Sequence, residues 1–480
     1  MKRYDVVVIG AGIAGLECAS ILTKEGMSVL LIEQGAVPGG FFQPFRRRGV
    51  TIDSSVHYIG SLDKGQFMER FFSYLGIMEM VDFVRMDNDQ FESVCLEGEV
   101  FPFAMGHSNF VERLAGFFPK EKNGLQRYAD AIKSVSLLSI EGVRRGEGFS
   151  KESMEAITTS VGEEISYYIK DVKLRRVLMG NSIIYLGDEK VTPFYVHAMT
   201  NNSYIESSWR IRGGAHSVTE AIASKIKSMG GEIRCSEEVK SILVEGGKSV
   251  GIETKSGERI LSERVISTIH PVHTSDMLGA DSGLKESYRK RVAELKNSPG
   301  MFCLYLIMKQ GQYKYINRNF QLLGEIPVMV SMQPPQNGGE FAEVITLIAP
   351  MLYDDVAKWS NSKPGQRGDE YCEFKKEFSD KLIKRAEVVL PGLNSSIEYS
   401  CSASPLTLRD YIKTPMGSVY GVVKDCKRPL STFLPVKSRV ENLYLAGQSI
   451  NLHGVMGVTF TSLLTCSEIL GGGVAKKVGL

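Results

Sequence analysis

The sequence predicts an α/β fold in which a doubly wound, Rossmann-type dinucleotide-binding domain is interleaved with an α+β domain. Three observations carry this. A glycine loop, Gly10-Ala11-Gly12-Ile13-Ala14-Gly15, stands between an apolar strand and a helix. Short strands return after Gly213-Gly214, beyond a long and mainly helical stretch. A glycine-rich strand and helix close the chain from Asn442 onward. The nucleotide-binding domain is therefore assigned to 1–65, 205–270 and 430–480. The substrate-binding, helical domain takes 66–204 and 271–429.

Taken in order, Tyr4 to Ile9 reads as a buried strand of the parallel-sheet type, apolar on both faces. Leu16 to Glu25 reads as a helix that Gly26 ends. Ser28 to Ile32 is a second strand, and Glu33 stands at its end, completing a β-α-β unit. Pro38-Gly39-Gly40 follows, and Phe41 to Asp53 reads as a connection carrying Arg46-Arg47-Arg48. Between Gln66 and Tyr204 amphipathic helices dominate, notably Gly124 to Val143 and Glu152 to Ile169. Ala215 to Met229 is helical. Gly231 to Cys235, Val239 to Val244, Ser249 to Thr254 and Arg259 to Ile266 read as strands separated by glycine turns. Pro271 to Pro429 is a second mixed region. Asn442 to Ala446 is the last strand, and Thr459 to Ile469 the last helix. The charge-free run from Asn442 to Ser467 contains Gln448, Ser449, Asn451 and His453, and so reads as a buried segment and not a membrane span.

Composition bounds the function. Of 480 residues 43% are hydrophobic and 23% charged, which excludes disordered, collagenous and rod-like chains. The net charge of +2 gives no basic excess for nucleic acid. The eight cysteines contain no C-x-x-C pair, so neither a zinc site nor a redox dithiol is indicated, and no metal is expected. Scattered thiols suit a reducing compartment. Met1 to Asp5 leads directly into the first strand, and the expectation is a cytoplasmic protein.

The glycine loop has a specific physical logic. Gly10 makes the tight turn. Gly12 lets backbone approach a pyrophosphate, and Gly15 lets helix and strand pack closely. Ile13 and Ala14 open the helix whose N-terminus stabilises phosphate charge. Glu33 is placed to accept hydrogen bonds from ribose hydroxyls and to repel a 2′-phosphate, which disfavours NADP.

The discontinuous order, with Gly39-Gly40 after Glu33, a long insertion and a glycine-rich C-terminal unit, resembles the FAD-containing amine-oxidase and phytoene-desaturase superfamily. Within it, Asp53-Ser54-Ser55-Val56-His57-Tyr58-Ile59-Gly60 resembles the D-x-G-x-H-Y-x-G segment of the phytoene desaturase, retinol saturase and carotenoid isomerase branch. Ser404 to Tyr411, Pro415 to Gly421 and Asn442 to Ser449 resemble that branch too, followed by Gly454 and Gly457. Two positions depart: Ser55 stands where the branch usually has glycine, and Phe41 where many members have arginine or lysine.

The resemblance implies non-covalent FAD and flavin chemistry on carbon–carbon double bonds of an apolar polyene or isoprenoid, by saturation, desaturation or isomerisation. It implies cofactor contacts at Gly39, Gly40, Val239, Gly447, Gln448, Gly454, Val455, Met456 and Gly457, besides the first glycine loop and Glu33. His57, Tyr58 and Tyr420 are the candidate proton-handling groups. Each has a plainer reading: a histidine in a turn is usually a structural hydrogen-bonding group, and a tyrosine usually core. Aromatic residues of the insertions, including Phe71, Phe72, Phe117, Phe118, Tyr167, Tyr168 and Trp209, are expected to line an apolar pocket. No second glycine loop follows a strand, so a separate nicotinamide domain is not expected, and electrons enter by direct contact, come from another carrier or are recycled. Arg46-Arg47-Arg48 suggests peripheral contact with anionic lipid, against the plainer reading of a solvated loop. Two other functions remain open: a flavin amine oxidase, and a non-enzymatic prenyl-lipid binder of the same fold.

Overall fold

The computed structural model describes residues 3–145, 153–279 and 282–480. Met1, Lys2 and Glu152, the expected start of one helix, lie outside them. Two seven-stranded sheets organise the chain. In the first, strands run in the order Glu232–Arg234, Val29–Ile32, Arg3–Ile9, Arg259–Ser267, Lys248–Thr254, Val239–Glu245. The end of Arg259–Ser267 also pairs in parallel with Leu443–Leu445. The first four strands and Leu443–Leu445 are parallel, whereas the Lys248–Thr254 and Val239–Glu245 strands are antiparallel additions. Helices Ile13–Lys24, His216–Ser228 and Gly454–Leu470 pack together over this sheet.

All ten residues from Ala14 to Thr23 are buried, as are Met456 to Ser467. The charge-free C-terminal run is therefore a buried strand, a loop and a largely buried helix. Among the described residues no helix is long and apolar enough to cross a membrane.

The second sheet runs Ile397–Ala403, Gly300–Met308, Val344–Met351, Val328–Met332, Asn319–Leu322, Glu92–Leu96, Glu99–Phe103. Its Gly300–Met308 strand is buried throughout, as its uninterrupted apolar run dictates. A small sheet of Ile59–Gly60, Ser208–Ile211 and Phe83–Arg85 joins the two large units.

Three expectations need correction. Phe41 to Asp53 is not mere connection: Pro44–Arg47 and Val50–Asp53 form a hairpin, turning at Arg48 and Gly49, both at positive φ. The arginine triplet sits on this hairpin, where Arg47 lies over the Phe45 ring and Arg48 over Tyr399. The Gln66 to Tyr204 region contributes strands at 83–85, 92–96 and 99–103 besides its helices. The helix expected to Ile169 is broken into Met154–Thr158 and Val161–Tyr168, because Ser160 and Glu163 form a reciprocal capping box that starts a new helix.

Candidate active site

The parallel strands of the first sheet converge at their carboxyl ends, the place where open α/β sheets bind ligands. Ile9 runs into Gly10, Ile32 into Glu33, Ser267 into Thr268 and Leu445 into Ala446-Gly447. Gly10 has φ +93°, and a Cβ there would stand 2.9 Å from the Thr268 hydroxyl oxygen. That hydroxyl donates to the Ile9 and Gly10 carbonyls at 2.9 and 3.0 Å. A Cβ on Gly15 would lie 1.9 Å from the Gly10 carbonyl oxygen, so helix and strand meet backbone to backbone. Gly12 is different: a Cβ there would meet nothing within 4 Å.

Around that open space the other glycines close in. The Gly39 N–H donates to the Ala11 carbonyl at 2.7 Å, and a Cβ on Gly40 would lie 3.2 Å from the Gly12 Cα. A Cβ on Gly447 would sit 3.8 Å from the Ala14 Cβ. Glu33 accepts the Ala11 N–H at 2.8 Å through one carboxylate oxygen and the Gly35 N–H at 2.7 Å through the other. Ser236 and Glu237 donate backbone N–H groups to Gly35 and Glu33, so Val239 lies two residues beyond this end of the loop. Gln448 and Val455 are partly exposed, Gly454 is exposed, and Met456 and Gly457 are buried.

The two helices that begin at Ile13 and Gly454 are locked side by side: Thr459 donates to Glu17 at 2.7 Å. Two helix N-termini, with unpaired N–H groups and positive dipole ends, thus serve one region. The open face at Gly12, the backbone closeness at Gly15 and the carboxylate at Glu33 fit a dinucleotide. Ile13 and Ala14 open one of these helices and Gly454–Gly457 the other.

A second cluster adjoins this cradle. Ser61, next to the Ile59–Gly60 strand, has its hydroxyl oxygen 4.0 Å from the Met456 sulfur. Tyr58 stacks on Tyr204 with ring centroids 4.2 Å apart, and its hydroxyl points to Glu92 at 3.5 Å. The Tyr420 ring lies tilted by 35° against His453 with centroids 4.6 Å apart, and its hydroxyl donates to the Ile183 carbonyl at 3.4 Å. His57 is partly buried, and its Nε2 is enclosed without a hydrogen-bond partner. Burial, reinforced by nearby Arg210, pushes it down to about 3, so it is neutral and binds no extra proton at physiological pH. Burial likewise raises the Tyr58 and Tyr420 hydroxyls well above the usual phenol range, so both stay protonated donors.

Several members of this cluster escaped the sequence reading. Glu92 is fully buried; burial pushes it up to about 7 against the opposing effects of Gln321, Tyr58 and Arg210. Arg210 is fully buried and donates to Ser331 and Asn319 at 2.8 and 2.9 Å. Their one sequence signal was a lone charge inside a short apolar strand. Lys424 donates from the interior to the carbonyls of Thr432, Ser449 and Ile450, and burial lowers it to about 7. It fixes the turn that leads to Gly454. Asp53, accepting the Ala215 N–H at 2.8 Å, is raised to about 7 by burial. All eight cysteines are free, and among the described residues no His, Cys, Asp and Glu cluster could hold a metal.

The expected aromatic pocket does not form as drawn. Phe71 and Phe72 are core, while Phe117 is half exposed against Phe101 and Tyr167 is exposed.

The comparisons with known proteins agree with this geometry. The family described as flavin containing amine oxidoreductase matches residues 13–318. All-trans-retinol 13,14-reductase of Macaca fascicularis is 25% identical, over 98% of this chain and 86% of its own length. Prolycopene isomerase of Daucus carota, a chloroplastic protein, is 24% identical over 98% and 80%. Among solved structures, an oxidoreductase from Methanosarcina mazei superposes with TM-score 0.65 at 17% identity, covering 98% of this chain and all of the other. A putrescine oxidase superposes with TM-score 0.67 at 14% identity, covering 98% and 99%. At these identities the structures speak for the fold alone.

Proposed function

The chain belongs to the flavin-containing amine oxidoreductase family, and from that premise we propose that it is an FAD-dependent oxidoreductase acting on carbon–carbon double bonds of an apolar polyene or isoprenoid. The observation that carries this reading is the cluster of Tyr58, Tyr204, Tyr420 and protonatable Glu92 beside the glycine cradle. Full-length similarity to a retinol reductase and a prolycopene isomerase supports the substrate class.

FAD is held without a covalent bond by Gly10, Gly12, Ile13, Ala14, Gly15, Glu33, Gly39, Gly40 and Val239, with Gly447, Gln448 and the Gly454–Gly457 turn toward the ring system. The bound flavin supplies hydride transfer. The chain supplies the rest: apolar packing that excludes water, and a Tyr58 hydroxyl that holds a proton with Glu92 behind it. An amine oxidase is less well supported. Tyr58 and Tyr204 lie against each other, not across a gap that would cage an amine, and the buried guanidinium of Arg210 repels a cationic substrate. The non-enzymatic alternative is disfavoured by the open cradle at Gly12. A cytoplasmic location, peripheral contact through the Arg46–Arg48 hairpin and a separate electron donor or acceptor complete the proposal.

Purified protein is expected to be yellow, to release FAD on denaturation, and to convert one member of a panel of retinoids, carotenoids, steroid enones and unsaturated lipids. Colourless protein that FAD cannot reconstitute refutes the enzyme reading; colour that stays with the denatured chain refutes the non-covalent one.

A further inference from the structure

A cavity of about 500 Å³ lies at one end of the second sheet, where strand Gly300–Met308 begins and Asn319–Leu322 and Val344–Met351 end. The segment from Gly180 to Thr192 covers it from the helical side. Its volume falls in the range of pockets that bury a small organic ligand. Its walls are more apolar than polar, through Ile183, Leu186 and Leu352, and they also carry Asp188, Lys296 and Asp354.

Three wall residues bond directly to the cluster described above. The Ile183 carbonyl accepts the Tyr420 hydroxyl at 3.4 Å, the Ser298 hydroxyl oxygen accepts the Tyr420 N–H at 2.9 Å, and Gln321 donates to Glu92. The inner wall of the cavity is therefore the outer wall of the reacting cluster, with Tyr420 between them. At the other extreme, Leu352 and Met416 are more than half exposed, so large apolar side chains stand where the cavity meets solvent.

The backbone adds an independent sign. Leu186 and Met416, both on the wall, hold φ of +49° and +52°, a conformation that bulky residues rarely adopt. Such outliers persist where the surroundings impose them and concentrate at ligand sites.

We infer that this cavity receives the apolar chain of an elongated, uncharged alkene and leads it to Tyr420, where the double bond meets the reacting cluster. The inference rests on the proposed function for its chemistry, but the cavity is a binding claim that can be tested without turnover.

The probe is all-trans-retinol, a fluorescent conjugated alkene, titrated into the flavin-loaded chain and into the flavin-free chain. Wild type is expected to bind one molecule per chain with enhanced fluorescence. Val191→Phe and Val423→Phe, at partly exposed positions on the cavity wall, are expected to weaken binding about tenfold at unchanged flavin content. No saturable binding by wild type, or equal affinity in wild type and both folded variants, overturns the inference. If neither variant folds, photolabelling of wild type with a diazirine-bearing isoprenoid decides. Label on peptides spanning 183–191 and 322–328 supports the site, and label confined elsewhere overturns it. Turnover of alkenes with binding indifferent to the fillings would leave the proposed function standing and remove only the cavity. Cavity binding by a chain that oxidises only amines would do the reverse.

Discussion

Gly12 and Gly15 share one loop, yet substitution should act on them in opposite ways. At Gly15 a methyl group would stand 1.9 Å from the Gly10 carbonyl oxygen, 3.1 Å from its carbon and 3.2 Å from a Leu31 methyl. Relief requires the helix to retreat from the strand by more than about 1 Å, and the helix is buried along its length. Overpacking of this kind costs about 1–3 kcal/mol, and alanine's better helix propensity returns at most about 1 kcal/mol. Gly15→Ala should therefore destabilise the flavin-free chain by about 1–2 kcal/mol. At Gly12 φ is −69° and ψ 179°, which valine adopts readily, and a Cβ meets nothing within 4 Å. Gly12→Val should leave the flavin-free chain within about 0.5 kcal/mol of wild type. Its side chain would nevertheless fill the open space proposed to take the pyrophosphate and so abolish flavin retention. Urea unfolding of the flavin-free forms, which removes the stabilisation that a ligand adds, and the absorbance ratio of flavin to protein separate the two effects. Wild-type flavin occupancy in Gly12→Val, or a Gly15→Ala chain as stable as wild type, would refute the reasoning.

Glu17 is pushed up to about 8 by burial, so the folded chain keeps its proton while the unfolded chain releases it above about pH 4.5. Stability from this group is therefore full at low pH and is lost as pH rises from about 4.5 to about 8, at up to about 1.4 kcal/mol per pH unit. Glu17→Gln keeps an acceptor for Thr459 and cannot ionise. It should match wild type near pH 4.5 and exceed it by a few kcal/mol at pH 8; parallel stability curves would contradict this. Tyr58→Phe keeps the stack on Tyr204 and removes the hydroxyl facing Glu92. Alkene turnover should fall roughly 10²-fold at unchanged flavin content, and an unaltered kcat would take Tyr58 out of the proton path.

The loop from Gly10 to Gly15, with Glu33 and the diglycine, was legible because its chemistry is local: each glycine answers to backbone a few residues or one strand away. His57, Tyr58 and Tyr420 stand in segments that carry the resemblance, which does not show the company they keep. Glu92 meets Gln321 across more than two hundred residues, and Arg210 meets Asn319 and Ser331 across more than one hundred. No spacing in the chain announces such pairings; only the second sheet and the small joining sheet create them. The hairpin of Pro44–Arg47 and Val50–Asp53 was hidden because its first strand carries Arg46 and Arg47 without alternation, and the alternation of Val50-Thr51-Ile52-Asp53 is only four residues long. The break at Ser160 was written in the sequence as a serine three residues before Glu163, a signal outweighed by the longer amphipathic pattern.

The most direct test of the central claim is anaerobic. Flavin on the purified chain is reduced chemically, excess reductant is removed, and candidate polyenes and enones are added under exclusion of oxygen. Reoxidation of the flavin by one of them, with a product altered at a single carbon–carbon bond, is the predicted result. Flavin that no alkene reoxidises or discharges, in a chain that turns over only amines with stoichiometric hydrogen peroxide in air, would contradict it.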